Sequence, residues 1–200
     1  MTPILIEDRG QRIEKHVVKH AWFERNGIYY ERYPLPVADY IMANDKVLDV
    51  IARKQKRGME PKKMDFLGTY TVAVDTKRDI QELVGNVCGK EHERFRDELL
   101  LGQNNGIKVY ILVENNSGVR EVRDLFRWQN PRLARYNKIK FMHSRGYMLD
   151  TQLPSQPPTS GQTLAKALLT MEKKYGCTFV FCTPQESGKR IIELLSEGAE

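Results

Sequence analysis

The chain has 200 residues, of which 40% are hydrophobic, a size and composition that suit one domain with a buried core. No apolar run approaches the roughly 18 residues of a membrane-spanning helix, which excludes a helical membrane protein and predicts no membrane partner. The net charge of +6 permits binding to nucleic acid without proving it.

The cysteines and the N-terminus predict a cytoplasmic protein. Cys88, Cys177 and Cys182 are odd in number and lack CxxC spacing, which argues against a disulfide framework or a zinc-binding site and fits a reducing compartment. Acidic residues appear by Glu7 and Asp8, so the chain lacks the basic-then-apolar pattern of a signal peptide.

The first predicted strand, residues 3–7, ends at the acids Glu7 and Asp8. An amphipathic helix is predicted over residues 11–25, with apolar residues at helical spacing: Ile13, Val17, Val18, Ala21 and Trp22. His16 and His20 lie four residues apart on this helix, a spacing that can bind a metal. Because no third ligand is nearby in the sequence, a polar helix face is the preferred interpretation.

Residues 28–33 predict a second strand. Residues 35–42 predict an edge strand, a bulged strand or a strand entered at Pro36, because proline cannot donate a ladder hydrogen bond. Asp39 lies inside this apolar run, where a carboxylate is costly unless it has a partner. It either caps the turn at Asn44 or binds a metal beside Asp75. The second interpretation is favoured, since a metal at Asp75 needs a second acid.

A helix is predicted over residues 45–55, followed by a mobile loop at 56–68 that is broken by Gly58 and Pro61. Together they form an insertion at about 45–68. This insertion carries a cluster of basic residues that fits a phosphate backbone or, equally, a solvated face: Arg53, Lys54, Lys56, Arg57, Lys62 and Lys63.

The stretch 69–83 is the centre of the functional hypothesis. Residues 70–74 are β-branched and apolar and predict a buried strand, and a helix is predicted after it as far as Cys88. Asp75, Thr76 and Lys77 follow the strand. Because side chains alternate along a strand, Asp75 and Lys77 are expected on the same side, where an acid holding a metal and a lysine could share one phosphate.

The second half of the sequence predicts further alternating elements. A helix is expected at 91–101, with Phe95 and Leu99 facing inward, then a strand at 107–113 that ends at Glu114 and a short helix at 119–128. A helix from about 162, a strand at 177–183 and a final helix to about 195 complete the chain order. Residues 130–150 are basic and irregular, and their aromatic residues either stack bases or form a small core of the loop, the second being preferred. A proline-rich connection is expected at about 151–161.

This alternation of strands and helices predicts an α/β fold with a central mixed β-sheet flanked by helices, in a single domain over residues 1–196. Three strand ends carry acids, at Glu7 and Asp8, at Asp39 and at Asp75. Magnesium and manganese prefer such oxygen ligands, and Glu114 is a weaker candidate at a fourth strand end. Neither a nucleophile motif nor a phosphate-binding loop competes with this interpretation.

The pattern resembles the XPF-type structure-specific endonuclease domain of the PD-(D/E)xK nucleases. The family shows an acid-x-Arg triplet after a strand, then Gly-Asp-Tyr, then Glu-Arg-Lys at a strand end, then a helix carrying an arginine. The matching segments here are Glu7-Asp8-Arg9, Ala38-Asp39-Tyr40, Asp75-Thr76-Lys77 and the helix at 90–100 with Arg94. Departures from the family pattern are Ala38 for glycine, Asp75 for glutamate and Thr76 for arginine.

The resemblance implies a restriction-endonuclease-like nuclease core and a Mg²⁺- or Mn²⁺-dependent DNA endonuclease of repair or recombination that cuts branched or flapped DNA. Expected metal ligands are Glu7, Asp39, Asp75 and the Thr76 carbonyl, with Asp8 as the second choice. Asp39, Asp75 and Lys77 are the expected catalytic residues. Arg9, Arg78 and Arg94 join the basic cluster at 53–63 in binding DNA.

The resemblance also implies pairing into a homodimer, for which the C-terminal apolar helices are the candidate surface. No helix-hairpin-helix module is expected in the chain, which suggests a compact bacterial or phage-type enzyme. The alternative function is a non-catalytic DNA-binding or partner module with a nuclease-like fold, since some members of the family have lost their acids.

Overall fold

A computed structural model describes residues 4–147 and 153–197. In these ranges the chain forms six strands and seven helices. The strands are β1 (Ile4–Asp8), β2 (Tyr29–Tyr33), β3 (Tyr40–Met42), β4 (Val72–Lys77), β5 (Lys108–Glu114) and β6 (Thr178–Cys182). The helices are α1 (Val17–Arg25), α2 (Asp45–Lys56), α3 (Ile80–Cys88), α4 (His92–Asn104), α5 (Pro131–Ser144), α6 (Gly161–Tyr175) and α7 (Ser187–Glu197).

Some predicted segments extend beyond these ranges. The predicted start of the first strand at residue 3, the end of the basic segment at 148–150 and the first residues of the proline-rich connection, 151 and 152, lie outside the described residues. Within the described ranges, the helices are too short or too polar to cross a bilayer.

The strands form one mixed sheet, as the sequence predicted, and their order in it is β2-β1-β3-β4-β5-β6. β3 is antiparallel to both of its neighbours, β1 and β4, whereas the other pairs are parallel. The C-terminal ends of β1, β4 and β5 therefore lie at one edge of the sheet, together with the N-terminal end of β3. This topology brings the expected acidic positions to the same edge.

Helices cover both faces of the sheet. On one face, here called the α3 face, Ile6, Ala73 and Ile111 pack in one core with side chains of α2, α3, α4 and α6. On the other, the α1 face, Leu5, Val74 and Leu112 pack with side chains of α1 and α7. Burying each such aliphatic side chain contributes roughly 1.5–3 kcal/mol, so both layers hold the sheet edge in place.

The buried side of α1 differs from the prediction. The helix begins at Val17 rather than at residue 11, with a 3₁₀ turn at Ile13–Lys15 before it. Ile13 and Val17 are more than half exposed, at 53% and 59%, whereas His16, Lys19 and His20 are buried. The expected polar, solvent-facing histidine pair is therefore wrong. Periodicity failed here because each buried polar side chain of α1 finds a charged or hydrogen-bonding partner on the sheet, which offsets the cost of desolvation.

β3 is shorter than predicted, and it is an interior strand rather than an edge or bulged one. The third alternative, in which Pro36 lies at the entry to the strand, agrees with the structure. Residues 35–39 form a loop before β3, so Pro36 interrupts no ladder hydrogen bond. The segment predicted as a mobile loop, 56–68, contains a 3₁₀ helix at Lys63–Phe66, and Phe66 is fully buried in the core of the α3 face.

The basic segment predicted as irregular forms α5. Asn130 caps this helix by accepting a hydrogen bond from the amide of Arg132 at 3.0 Å, and Pro131 occupies the first turn. No residue of 131–144, all of them described, is buried, and Phe141 is 59% exposed. The expected small core of this segment is therefore wrong, and the cap signal at Asn130-Pro131 was missed.

The C-terminal helix, strand and helix join the same sheet, as expected for about 40 residues that cannot form a core alone. β6 pairs with β5 in parallel. A capping contact precedes α7, because the amide and hydroxyl of Thr183 both donate to the Glu186 carboxylate at 2.8 Å. The apolar side chains Leu164 of α6 and Ile191 of α7 are buried within the protomer.

Candidate active site

Asp39 lies where β1, β3 and β4 meet, and it connects all three strands. Its carbonyl oxygen accepts a hydrogen bond from the amide of Asp8 at 2.7 Å, and its amide donates to the carbonyl of Val74 at 3.1 Å. One carboxylate oxygen accepts from the amide and hydroxyl of Thr76 at 2.8 and 2.6 Å, and the other accepts from Gln11 at 2.5 Å. The carboxylate is thus directed at the strand ends.

Asp75 and Lys77 share one side of β4, as strand alternation predicted. They belong to the strand rather than following it, since β4 ends at Lys77. The Lys77 ammonium lies 2.6 Å from Asp75 Oδ2 and 4.9 Å from the centre of the Phe95 ring. This ion pair lacks the directional geometry of a hydrogen bond, and Asp75 Oδ2 accepts no hydrogen bond from the described residues.

Asp8 brings a third acid to this edge. Because side chains alternate along β1, Asp8 points to the α3 face and Glu7 to the α1 face. Asp8 Oδ1 accepts a hydrogen bond from the amide of Leu35 at 2.9 Å. The backbone of Gly10 passes so close that a Cβ atom there would lie 2.7 Å from Asp8 Oδ2, so this glycine leaves room for the carboxylate.

Together these side chains line a cavity of about 410 Å³ at the sheet edge. The cavity contains three buried acids, one buried lysine and a further set of polar residues. The charged and amide side chains that line it are Asp8, Gln11, Asp39, Lys63, Asp75, Lys77, Glu82, Asn86, Arg94 and Glu98.

Glu98 is a site residue that the sequence reasoning missed. Its carboxylate accepts a hydrogen bond from the amide of Ala38 at 2.9 Å. A signal was present, because Glu98 lies three residues after Phe95 and one before Leu99, both predicted to face inward on the same helix. An acid next to the inward-facing residues of this helix lies close to the strand ends.

The acids in the cavity outweigh its buried positive charge. Burial raises the pKa of Asp75 to about 6, the Lys77 ammonium opposes that rise and the Asp39 carboxylate adds to it. Burial likewise raises the pKa of Asp39 and, together with the charge of Asp75, that of Glu98. Burial disfavours the Lys77 ammonium, but attraction by Asp75 and Asp39 raises its pKa overall, so Lys77 is protonated at neutral pH.

Glu7 lies away from this cavity. Glu7 is the metal ligand expected from the sequence, with Asp8 only as the second choice, and the structure reverses that preference. It is fully buried on the α1 face, where it accepts hydrogen bonds from Tyr40 Oη at 2.7 Å and His20 Nε2 at 3.0 Å. Burial alone would raise the pKa of Glu7, but these hydrogen bonds and the histidine charges lower it. Asp8, the second choice from the sequence, lies beside Asp39 instead.

Glu114 also differs from its expected placement. It ends β5 on the α1 face, where its carboxylate forms a buried ion pair with Lys19 of α1. Burial raises the pKa of Glu114, and the Lys19 ammonium opposes that rise. The side chain therefore stabilises the contact between α1 and the sheet and does not line the cavity.

Among the basic residues expected to contact DNA, Lys63 and Arg94 line the cavity. Others lie farther out and pair with surface acids: Arg9 with Glu60 at 2.5 Å, Arg53 with Asp49 at 3.0 Å, Lys54 with Asp65 at 2.7 Å and Arg78 with Asp79 at 3.6 Å. Such exposed pairs contribute little to stability, so these cations stay available for a stronger anionic partner.

Comparison with protein families identifies this arrangement. The family model of the ERCC4 domain matches residues 6–195, which is nearly the whole chain. The chain belongs to the ERCC4 domain family. This match confirms the resemblance to XPF-type nuclease domains and the α/β nuclease core expected from the sequence. A comparison with curated proteins gives no match.

Membership of the ERCC4 family defines the broad class of activity. It is a family of structure-specific nucleases whose domains act on DNA. In this ERCC4 domain, the cavity residues Asp8, Asp39, Asp75 and Lys77 come from the motif segments that carried the resemblance. Glu98 comes from the helix that carries Arg94.

One departure from the ERCC4 pattern has a visible backbone consequence. Ala38 replaces the glycine before Asp39, and its φ of 64° lies in the left-handed region that favours glycine. Among the described residues other than glycine, it alone has a positive φ. This backbone conformation directs the Ala38 amide to Glu98, so a strained residue links α4 to the loop that holds Asp39.

Proposed function

We propose that this ERCC4 domain is a metal-dependent DNA endonuclease that hydrolyses phosphodiester bonds in branched or otherwise structured DNA. One observation carries the proposal. Asp8, Asp39, Asp75 and Lys77 converge on one cavity from two strands and from the loop before a third, at the motif positions of a nuclease family. Burying several carboxylates together is costly unless a cation compensates them.

The residues in the cavity fit a divalent metal of the magnesium class. Their donor atoms are carboxylate oxygens, which Mg²⁺ and Mn²⁺ prefer. Asp75 Oδ2 is buried beside the Lys77 ammonium and accepts no hydrogen bond from the described residues. Burial raises the pKa of Asp39 and of Asp75, although the Lys77 charge opposes both rises. We assign Asp8, Asp39 and Asp75 as the ligands, with Glu98 beside them.

The Thr76 main-chain carbonyl, predicted as a further ligand, remains part of this proposal. The contacts of Thr76 suggest a second contribution, because its amide and hydroxyl both hold one oxygen of Asp39. Thr76 thereby orients the carboxylate at which the metal would be bound. This role explains how a threonine can serve where the family pattern has arginine.

A bound divalent ion would polarise a phosphoryl oxygen and lower the pKa of the attacking water. Lys77 supplies a fixed positive charge beside Asp75 that stabilises the charge developing on the phosphate in the transition state. Gln11 donates a hydrogen bond to Asp39 Oδ1, the carboxylate oxygen that Thr76 does not contact, and holds it in place. Such preorganised electrostatic groups typically account for about 10²–10³-fold each in rate.

Positive charge at the cavity rim would hold the DNA backbone. Lys63 comes from the insertion and Arg94 from α4, so the rim has one cation on each of two elements. The helix α5 adds a cationic surface, since the segment 127–147 contains no acidic residue. Backbone contacts of this kind fix position on the DNA and make affinity depend on salt.

The test compares cleavage of labelled forked, flapped and linear duplex DNA with and without Mg²⁺ or Mn²⁺. We expect metal-dependent cleavage by the wild type and a loss of at least about 10²-fold in Asp75→Asn and in Lys77→Met. Asp97→Asn is the matched control, because Asp97 is an exposed acid of the same α4 helix as Glu98 but lies outside the cavity. Circular dichroism would establish that each variant folds.

Full activity of both cavity variants would refute the mechanism. DNA binding that weakens with salt, without cleavage in either metal, would instead support the alternative of a non-catalytic DNA-binding module. One observation favours that alternative, since both oxygens of Asp39 already accept hydrogen bonds from the chain. Comparing forked with linear substrates tests the preference for structured DNA in the same experiment.

Homodimer formation belongs to the proposal as well. The apolar faces of α6 and α7 were the expected surface, but Leu168 and Leu194 of these helices are buried within the protomer. Leu169 of α6 is 38% exposed and remains available at the surface. Light scattering of the purified chain would measure its mass in solution, and a monomer at high concentration would exclude the dimer.

A further inference from the structure

A second group of potential metal ligands lies on the opposite face of the sheet from the nuclease cavity. Glu7, His16 and His20 each offer a ligand atom, and these atoms all lie within 4.8 Å of one another. The Glu7 carboxylate is fully buried, and the two histidines are 3% and 7% exposed. The third ligand that the sequence lacked for the histidine pair is thus supplied by β1.

Tyr40 completes this group as a fourth potential donor. Its hydroxyl contacts His16 Nδ1 directly and lies 2.7 Å from Glu7 Oε1. Glu7 Oε1 also lies 3.0 Å from His20 Nε2 and 3.3 Å from His16 Nδ1. A tetrahedral zinc ion with bonds of about 2.0–2.1 Å has ligand atoms roughly 3.3 Å apart. The two separations between Glu7 and the histidines are close to that value, whereas the Tyr40 hydroxyl would move outward to make room for the metal.

We propose that Glu7, His16, His20 and Tyr40 form a structural site for a transition metal of the zinc class. Two imidazole nitrogens with one carboxylate are typical ligands for zinc, whereas magnesium selects oxygen alone. A site in which protein side chains fill all four positions is closed, which is the form that structural zinc sites take.

The surrounding side chains support the four ligands from outside. Arg32 Nε lies 2.9 Å from Glu7 Oε2, the oxygen that faces away from the histidines, and so leaves Oε1 for the metal. The His20 ring stacks on Tyr30 with ring centres 4.7 Å apart. Outer contacts of this kind orient ligands and are part of most metal sites.

This site would support the nuclease cavity through the backbone. Glu7 and Asp8 are consecutive in β1, and Asp39 directly precedes Tyr40, the first residue of β3. Joining Glu7 to Tyr40 on the α1 face therefore fixes the relative position of Asp8 and Asp39 on the α3 face. Only this consequence depends on the proposed function, because metal binding at the site can be measured without cleavage.

The experiment uses the full chain after treatment with a chelator and titrates it with Zn²⁺ by calorimetry, and with Co²⁺ by visible absorption. We expect one tight Zn²⁺ per chain, an intense tetrahedral Co²⁺ spectrum and a rise in melting temperature on adding Zn²⁺. The double variant His16→Gln/His20→Gln should lose all three. His143→Gln is the matched control, because His143 lies on exposed α5, and it should behave as the wild type.

Two further variants separate this site from the nuclease cavity and from a folding defect. Asp75→Asn should keep the Zn²⁺ stoichiometry and the Co²⁺ spectrum, whether or not it cleaves DNA. Tyr40→Phe keeps the buried ring and removes one donor, so it should alter the Co²⁺ spectrum in a folded protein. Absence of tight Zn²⁺ binding by the wild type, or an unchanged Co²⁺ spectrum in the folded histidine variant, would overturn the proposal.

Discussion

The amide of Asp8 donates a hydrogen bond to the carbonyl of Asp39 at 2.7 Å, and this contact joins the ends of two antiparallel strands at the centre of the cavity. The backbone, rather than a side chain, sets the distance between these two acids. Asp39 continues the connection to β4 through the carbonyl of Val74. Changes in the short loop before Asp39 are therefore expected to alter the geometry of the cavity.

Ala38 tests the strain in that loop. Replacing it by glycine removes the strain of an alanine in the left-handed region, which stabilises the fold by about 1 kcal/mol. The same change removes a buried methyl group that contributes about 0.8 kcal/mol, and it raises the conformational entropy of the unfolded chain. We expect Ala38→Gly to change the free energy of unfolding by less than about 1 kcal/mol. Ala38→Val should lower it by about 2 kcal/mol or more, because a β-branched residue fits poorly at positive φ.

Urea denaturation of the two Ala38 variants measures both effects. The comparison with glycine is the control, since both substitutions act at the same backbone position. Equal stability of the valine variant and the wild type would show that the loop relaxes without cost. In that case the left-handed conformation would not be required for holding Asp39.

Helix α5 is expected to contribute to DNA affinity. Arg132→Glu/Arg135→Glu reverses two charges on a helix without buried residues, so the fold should be unaffected. We expect at least about tenfold weaker binding and a shallower salt dependence, by about one unit of slope for each DNA phosphate that the protein no longer neutralises. Fluorescence anisotropy across a range of salt concentrations measures both quantities.

The matched control reverses the same amount of charge on the α1 face. Arg25 of α1 and Lys189 of α7 are exposed, and Arg25→Glu/Lys189→Glu changes the net charge equally. If DNA binds at the cavity edge and α5, the control should weaken binding less and leave the salt slope unchanged. Equal losses in the two double variants would indicate a general effect of net charge and contradict a role for α5.

Gly161 marks a close approach between α6 and the 3₁₀ helix at Val122–Phe126. A Cβ atom at this position would lie 2.2 Å from the carbonyl oxygen of Leu125 and 2.3 Å from that of Trp128. Because backbone atoms cannot move aside locally, we expect Gly161→Ala to lower the free energy of unfolding by about 2–3 kcal/mol. Thermal and urea denaturation would measure this loss.

Gly85 provides the opposite control. It lies inside α3, and a Cβ atom there would meet no heavy atom within 4 Å. Gly85→Ala should raise the free energy of unfolding by about 0.5–1 kcal/mol, because alanine has the higher helix propensity. A lower free energy of unfolding in Gly85→Ala would contradict the packing of α3. An unchanged free energy of unfolding in Gly161→Ala would contradict the packing of α6.

Glu186 should make the C-terminal helix sensitive to acid. The amide and then the hydroxyl of Thr183, followed by Arg120, lower the pKa of Glu186 to about 2. A carboxyl group with a lowered pKa in the folded state stabilises that state at pH values above its ordinary pKa of 4.5. This stabilisation is lost as the pH falls toward 2. Glu186→Gln should therefore be less stable than the wild type at pH 7, and the difference should shrink below pH 4.5.

Melting temperatures between pH 2 and pH 7 would follow this difference, provided that unfolding is reversible. Glu24→Gln is the control, because Glu24 is an exposed acid on α1, and it should remain close to the wild type throughout. A difference between Glu186→Gln and the wild type that stays constant with pH would show that the Glu186 charge does not support the cap.

Local sequence signals predicted most of the fold. Hydrophobic runs and periodicity located the strands and most helices. An acid inside an apolar run indicated Asp39, and an acid after one indicated Asp75. The error on α1 has a tertiary cause, whereas the error on α5 came from a local cap signal that was missed. The polar buried side of α1, with His16 and His20, is stabilised by partners from β1 and β3 that lie far away in the sequence, and periodicity takes no account of such partners.

The sequence by itself determined the ERCC4 motif positions, the strand alternation that puts Asp75 and Lys77 together, and the mixed α/β class, because these depend on neighbouring residues. The tertiary structure alone decided that Asp8 rather than Glu7 joins Asp39. It also placed Glu98 at the cavity, where the sequence indicated only a position beside the inward residues of its helix. It also decided that Glu7 meets two histidines on the opposite face. These outcomes depend on strand order and on which helix covers each face, which are set by packing between distant segments.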